Sequence, residues 1–214
     1  MTRSDLTHLY FLLDRSGSMQ SIKTDTEGGF AAFIEEQRRA DGECRVTLAQ
    51  FDDVYEVVLA DTPVAEVGRL RLRPRGSTAL LDAMGRLITE AGSSLAALPE
   101  DQRPASVVVA IMTDGLENAS REWTHQAVRA LVEQQTSDYQ WQFLYMGADQ
   151  DAIEVGTGLG VSAAHTVSYT RGNVDKVMAA SSAKVSDLRR ARAMDASAAM
   201  RAYTAEERQA ATDD

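Results

Sequence analysis

Apolar runs of strand length alternate with segments of helical periodicity along most of this chain, and that alternation restricts its fold more than any other feature. Leu9 to Leu13, Val46 to Phe51, Val107 to Met112 and Trp141 to Met146 are short, mostly apolar and rich in β-branched or aromatic residues. Such runs suit strands covered on both faces, as in a parallel sheet flanked by helices. Between them, Leu81, Met84, Ile88, Ala91, Leu95 and Leu98 recur at steps of three and four and form one apolar helical stripe. Trp123, Ala127, Ala130, Leu131 and Gln134 mark another helix, and Ile22, Phe30, Phe33 and Ile34 an earlier one. The earlier pattern contains Gly28-Gly29, which fits either close packing against a neighbour or a break in the helix. The sequence therefore predicts an α/β fold of βα units around a mostly parallel sheet. Val54 to Leu59 follows the second strand after only Asp52-Asp53, so a tight hairpin and one antiparallel edge strand are expected.

Strand signals stop near Asn173, which divides the expected α/β domain, residues 1–172, from a helical extension, 173–214. Val174, Val177, Ser181, Val185 and Leu188 have helical spacing behind Asn173 as a candidate N-cap. Arg189 to Asp214 reads either as a final helix, with a capping box at Thr204 and Glu207, or as a tail that depends on a partner.

Composition narrows the partners. With 214 residues, 44% hydrophobic and 25% charged, the chain lies in the globular range. A formal charge of −10 argues against nucleic acid and anionic membrane, since binding a phosphate backbone through bulk electrostatics needs a basic face. No run approaches the roughly 18 apolar residues of a membrane span. The apolar run near the start is too short for a signal peptide, so a soluble, cytoplasmic protein is expected. Cys44 is the only cysteine, which leaves no internal disulfide and no thiolate zinc site; a buried thiol is expected.

The chemistry concentrates where strands end. Asp14, Ser16 and Ser18 follow the first strand, alternating with Arg15 and Gly17. Thr113-Asp114-Gly115 follows the Val107 to Met112 strand, so Asp114 can meet Asp14 if those strands are neighbours. In open α/β sheets, ligands bind outside the carboxyl ends of the strands. These groups are all hard oxygen donors, which suit Mg²⁺ or Mn²⁺ first, with Ca²⁺ as a further candidate, and do not favour zinc or copper. Two carboxylates leave a divalent ion part of its charge and an open position, which an incoming carboxylate can complete.

Phe11-Leu12-Leu13-Asp14-Arg15-Ser16-Gly17-Ser18-Met19 resembles the D-x-S-x-S signature of the metal-ion-dependent adhesion site of von Willebrand factor A (vWA) domains. Gly76-Ser77-Thr78-Ala79-Leu80 is similar to that superfamily's threonine loop, and Met112-Thr113-Asp114-Gly115 to its T-D-G loop. The resemblance covers about Thr7 to Tyr169. It implies a Rossmann-like three-layer α/β/α fold with one antiparallel edge strand. It further implies that Asp14, Ser16, Ser18, Thr78 and Asp114 are metal ligands, direct or through water, with Thr78 moving in or out with ligand state.

By the same resemblance the function is binding, not turnover: the ion engages an Asp or Glu of a protein partner. The chain is then expected to serve an intracellular complex, an AAA-type ATPase being one candidate companion. Whether the Val174 to Leu188 helix shifts with ligand is left open.

Blander readings stand beside these. Asp52 and Asp53 are explained by a hairpin turn. Arg15 and Met19 read equally as ligand contacts or as solvated loop residues. His8, His125 and His165 show no triad or ligand spacing, and Asn118-Ala119-Ser120 lacks a secretory route to glycosylation. Gly156, Gly158 and Gly160 read as helix-ending glycines, since their spacing misses the dinucleotide fingerprint. A magnesium-dependent phosphohydrolase or phosphotransferase is the rival function, with Asp14 as nucleophile. It lacks its acid/base partner, because the place two residues on is Ser16 and no lysine or histidine stands near the loops. A purely structural domain with a vestigial site is the third reading.

Overall fold

The computed structural model describes residues 2–148 and 151–213. Its elements in chain order are β1 (Arg3–Asp14), α1 (Lys23–Arg39), β2 (Glu43–Phe51), β3 (Tyr55–Pro63), α2 (Leu80–Ala97) and β4 (Pro104–Thr113). After these come α3 (His125–Tyr139), β5 (Gln142–Ala148), α4 (Ala152–Gly158), β6 (Thr166–Tyr169), α5 (Val174–Met194) and α6 (Ala205–Thr212). The six strands form one sheet in the order β3-β2-β1-β4-β5-β6. Every pairing is parallel except that of β2 with β3, so the hairpin supplies the antiparallel edge.

The pleat of β1 sorts its side chains between two cores. Leu9, Phe11 and Leu13 face a cluster that includes Phe30 and Phe33 of α1, Val177, Val185 and Leu188 of α5 and Ala211 of α6. Tyr10 and Leu12 face a second cluster with Leu81, Met84 and Ile88 of α2 and Val128 and Val132 of α3. Helices thus cover both faces, and the three-layer α/β/α architecture follows from strands that are apolar on both sides. Among the described residues no helix is long and apolar enough to cross a membrane.

Some details follow the pattern in the sequence and some depart from it. α1 runs unbroken through Gly28-Gly29 because Gly29 lies against α5: a Cβ there would stand 2.9 Å from Met178 Cγ. In α3 the buried face is carried by Val128 and Val132, while Ala130 and Gln134 face solvent. Asn173 precedes α5 without capping it; its amide donates to Thr170 Oγ1 at 2.6 Å and to the Asp213 carbonyl at 2.7 Å. The capping box of α6 is present, Thr204 and Glu207 each accepting the other's backbone N–H.

The chain leaves β1 for β2 on one side, whereas β4 lies on the other side of β1. The strand order therefore reverses between β1 and β4, and their carboxyl ends open the crevice where ligands of such sheets bind. Asp14 closes β1 and Asp114 follows β4 at that point.

Candidate functional site

Asp14 is fully buried at the crevice floor. The Ser16 N–H donates to its Oδ1 at 2.6 Å, and Thr113 Oγ1, at the end of β4, donates to its Oδ2 at 2.6 Å. Burial pushes its carboxyl up to about 6; the bonds from Thr113 and Ser16 oppose that rise, and the charge of Asp114 adds to it. An anion held out of water beside a second carboxylate is a destabilised group that a cation would relieve.

The hydroxyls continue the cluster. Ser16 Oγ and Ser18 Oγ lie 3.0 Å apart, and Ser18 Oγ donates to Asp114 Oδ1 at 2.5 Å. The Asp114 side chain is buried, with an Arg171 guanidinium nitrogen 3.6 Å from its Oδ2. Thr78 is buried, and a Cβ on Gly115 would stand 2.7 Å from its Oγ1 and 3.6 Å from Ser18 Oγ. Only glycine after Asp114 lets the Thr78 hydroxyl come alongside. All five oxygen-bearing residues singled out in the sequence thus meet at one place. Their donor set, two carboxylates and three hydroxyls, fits a hard divalent cation.

A second tier, which sequence reasoning missed, holds the three loops in register. Arg15 is neither solvated nor turned toward the cluster: its Nε donates to the buried Asp52 at 3.0 Å and its terminal nitrogen to Glu56 at 2.5 Å. Met19 is wholly buried in the α1 face of the core. Asp52 makes the expected turn, accepting the Val54 N–H at 2.6 Å, and also takes a bond from Arg75 Nε at 2.8 Å. Burial pushes its carboxyl up, but Arg75, the Val54 N–H and Arg15 outweigh burial and hold it below the usual carboxylate range.

Backbone bonds complete the bracing. The Arg75 N–H donates to the Arg15 carbonyl and the Gly17 N–H to the Gly76 carbonyl, so the Thr78 loop leans on the Asp14 loop. Thr78 and Asn118 are joined twice: the Thr78 N–H donates to Asn118 Oδ1, and the Asn118 N–H to the Thr78 carbonyl, both at 3.0 Å. Glu117 accepts the Leu81 N–H at the start of α2, where an acid satisfies an orphan donor and the helix dipole favours it. An acid and an amide in a loop facing a helix start were the available signal for this tier.

Of the remaining residues, His8 is buried in β1 and His165 bonds the Met200 carbonyl, so neither reaches the cluster. Cys44 is a buried free thiol. Two residues past α4, Gly160 serves the turn: it has φ +86 beside the bond from the Val161 N–H to the Gly156 carbonyl. A cavity of about 560 Å³, floored by Ile88, Leu95, Val107 and Trp141, lies between α2 and α3 near the amino end of β4, away from the cluster.

An open α/β sheet with a hydroxyl–carboxylate cluster at its switch point defines the class: a domain built to present an oxygen-lined site on loops. No sequence family model matches the chain, and no curated protein sequence does. Solved structures do match it, several of them named as von Willebrand factor A proteins or domains. Proximal thread matrix protein 1 from the mussel byssus, in a structure whose MIDAS motif is occupied by zinc, shares 12% identity over 84% of this chain with a TM-score of 0.56. The ArnB paralog VWA2 from Sulfolobus acidocaldarius shares 12% over 83% with a TM-score of 0.55. The vWF domain of the type V pili tip protein Mfa5 from Porphyromonas gingivalis shares 11% over 85% with a TM-score of 0.58. The chain spans 46% of the mussel protein and 44% of the archaeal one, and 94% of the pilus domain. The chain has the three-layer α/β/α vWA fold.

Proposed function

We propose that this chain is a divalent-metal-dependent protein-binding module. Asp14, Ser16, Ser18, Thr78 and Asp114 hold one Mg²⁺ or Mn²⁺ ion, with Ca²⁺ as a further candidate, and an acidic residue of a partner protein engages it. The observation that carries this reading is the Ser18 hydroxyl, which links Ser16 to Asp114 beside the buried carboxylate of Asp14. A cation bound there supplies positive charge and an open position for a partner's carboxylate. This chain's own residues do the rest: Thr113 and the Ser16 N–H aim the Asp14 carboxylate, and Asn118 fixes the Thr78 loop. No step of turnover belongs to this reading, and intracellular work within a larger complex is part of it.

The test is calorimetric titration of metal-stripped protein with Mg²⁺ and Mn²⁺, run beside Asp14→Ala and Thr78→Ala. Saturable one-site binding is expected in the wild type, lost in Asp14→Ala and weakened in Thr78→Ala. Binding that survives Asp14→Ala unchanged, or no binding in the wild type, overturns the assignment.

A further inference from the structure

The segment that leads into the Thr78 loop carries a feature the metal site does not use. Arg69-Leu70-Arg71-Leu72-Arg73-Pro74-Arg75 places four arginines in seven residues with no acid between them, in a chain of 32 acidic and 22 basic residues. Leu70 and Leu72 are buried with Val67 in the core against α1, whereas Arg69, Arg71, Arg73 and Arg75 are exposed. A burial period of two marks extended chain, so the arginines share one outward side at steps of about 6.6 Å.

The path of the segment is fixed by α1. Arg38, near the end of that helix, donates to the Val64 and Val67 carbonyls, and Glu27, near its start, accepts the Leu72 N–H. The chain therefore climbs along α1 toward the crevice, where the bonds of Arg75 to Arg15 and of Gly76 to Gly17 join it to the Asp14 loop. Arg75 is committed to Asp52. The guanidiniums of Arg69, Arg71 and Arg73 make no ion pair or hydrogen bond among the described residues. Three aligned cations within a Debye length of about 8 Å repel one another. A chain with ten surplus acids has ample means to neutralise them, yet no carboxylate pairs with these three guanidiniums among the described residues, the neighbouring Glu27 being bonded to the Leu72 N–H.

We propose that this arginine ladder docks an extended acidic segment of a protein partner, which lies along it and brings a carboxylate to the cluster at its upper end. The proposal rests on the reading of that cluster as a protein-binding site. Guanidinium forks take carboxylates in pairs of parallel bonds, and an extended peptide with acids at alternate positions matches the step of the ladder. A long polyanion such as nucleic acid fits less well, because beyond the ladder it meets a protein of net charge −10.

The test uses the full chain, a short fluorescein-labelled peptide of alternating Glu and Ser, its Gln–Ser counterpart and a single-stranded oligonucleotide of equal charge. Binding is read by anisotropy with Mg²⁺ and with chelator, at low and high salt. The wild type is expected to bind the acidic peptide in a salt-sensitive manner and to ignore the neutral one. Arg69→Gln, Arg71→Gln and Arg73→Gln combined should weaken binding about tenfold while leaving the Mg²⁺ titration unchanged. Asp14→Ala should lose only the Mg²⁺-dependent increment. Acidic-peptide binding that is absent in the wild type, equal in the triple variant, matched by the neutral peptide or exceeded by the oligonucleotide overturns the ladder. A missing Mg²⁺ titration overturns the metal reading alone.

Discussion

At Asp52 one buried carboxylate accepts from Arg15, from Arg75 and from the Val54 N–H, so three segments of chain converge on a side chain that touches none of the proposed ligands. Replacing it by asparagine keeps the shape and removes the charge, leaving the buried Arg15 with the half-exposed Glu56 as its remaining ion-pair partner beside the Val54 carbonyl. Asp52→Asn is expected to lower stability by about 2 kcal/mol, read from urea unfolding. It should also weaken Mg²⁺ binding through the loosened Asp14 and Thr78 loops. Unchanged unfolding would show that the pair contributes nothing. Asp14, Ser16 and Ser18 were legible as ligand candidates because they share one short loop, and Asp114 because it follows a strand, whereas Thr78 rested on the vWA resemblance. Asp52 and Asn118 were not, since their partners Arg15 and Thr78 lie 37 and 40 residues away and a turn residue looks the same whether or not it also braces a site.

Among the elements, β1 carries a second buried titratable group besides Asp14. His8 stacks on Tyr10 at 4.1 Å, and its Nε2 lies 2.9 Å from Thr47 Oγ1. Burial lowers its pKa from 6.5 to about 4; the facing Asp61 opposes that shift and Arg45 adds to it. Between those values the unfolded chain binds the proton and the folded chain does not, so stability present above pH 6.5 is lost as pH falls toward 4. The shift sets a ceiling of about 3 kcal/mol on this loss. Asp14, shifted upward, acts in the opposite sense below pH 6, so the comparison is between wild type and His8→Gln. Urea unfolding at pH 7 and pH 4.5 should show a shallower loss in the variant, and equal losses would remove His8 from the account.

The long strands and α2 were legible because their patterns are strong. β6 was not, because four residues, Thr166–Tyr169, are too few to show an alternation. The face of α3 was only partly placed: Trp123 and Leu131 pack against the core, but Ala130 and Gln134 do not, since alanine and glutamine at helical spacing carry little information about which side is buried.

Taken whole, the molecule is tied together by α5, three of whose basic residues, Lys184, Arg189 and Arg192, are buried. Arg189 donates to the Gln37, Asp41 and Gly42 carbonyls at 2.7, 3.1 and 3.0 Å, clamping the turn between α1 and β2. Arg192 donates to the Ala198, Ala105 and Gln140 carbonyls at 3.0, 3.3 and 2.9 Å. A slide of one helical turn, about 5.4 Å, would break every one of these bonds. Hydrogen exchange over Val185 to Met194 is therefore expected to be unchanged when saturating Mg²⁺ is added. Faster exchange there would reveal a moving helix that these clamps do not restrain.

Leu13 sits beside Met112 in the ladder, so Asp14, the last residue of β1, and Asp114, one residue past the end of β4, come off neighbouring strands whose spacing, about 4.8 Å, is set by backbone hydrogen bonds. Asp14, inside the sheet, is the fixed jaw of a gauge, and Ser16, Ser18, Thr78 and Asp114, carried on loops, form its adjustable jaw. On the proposed metal reading, tuning for one ion size over another falls on those loops, where substitutions leave the sheet and its two cores intact.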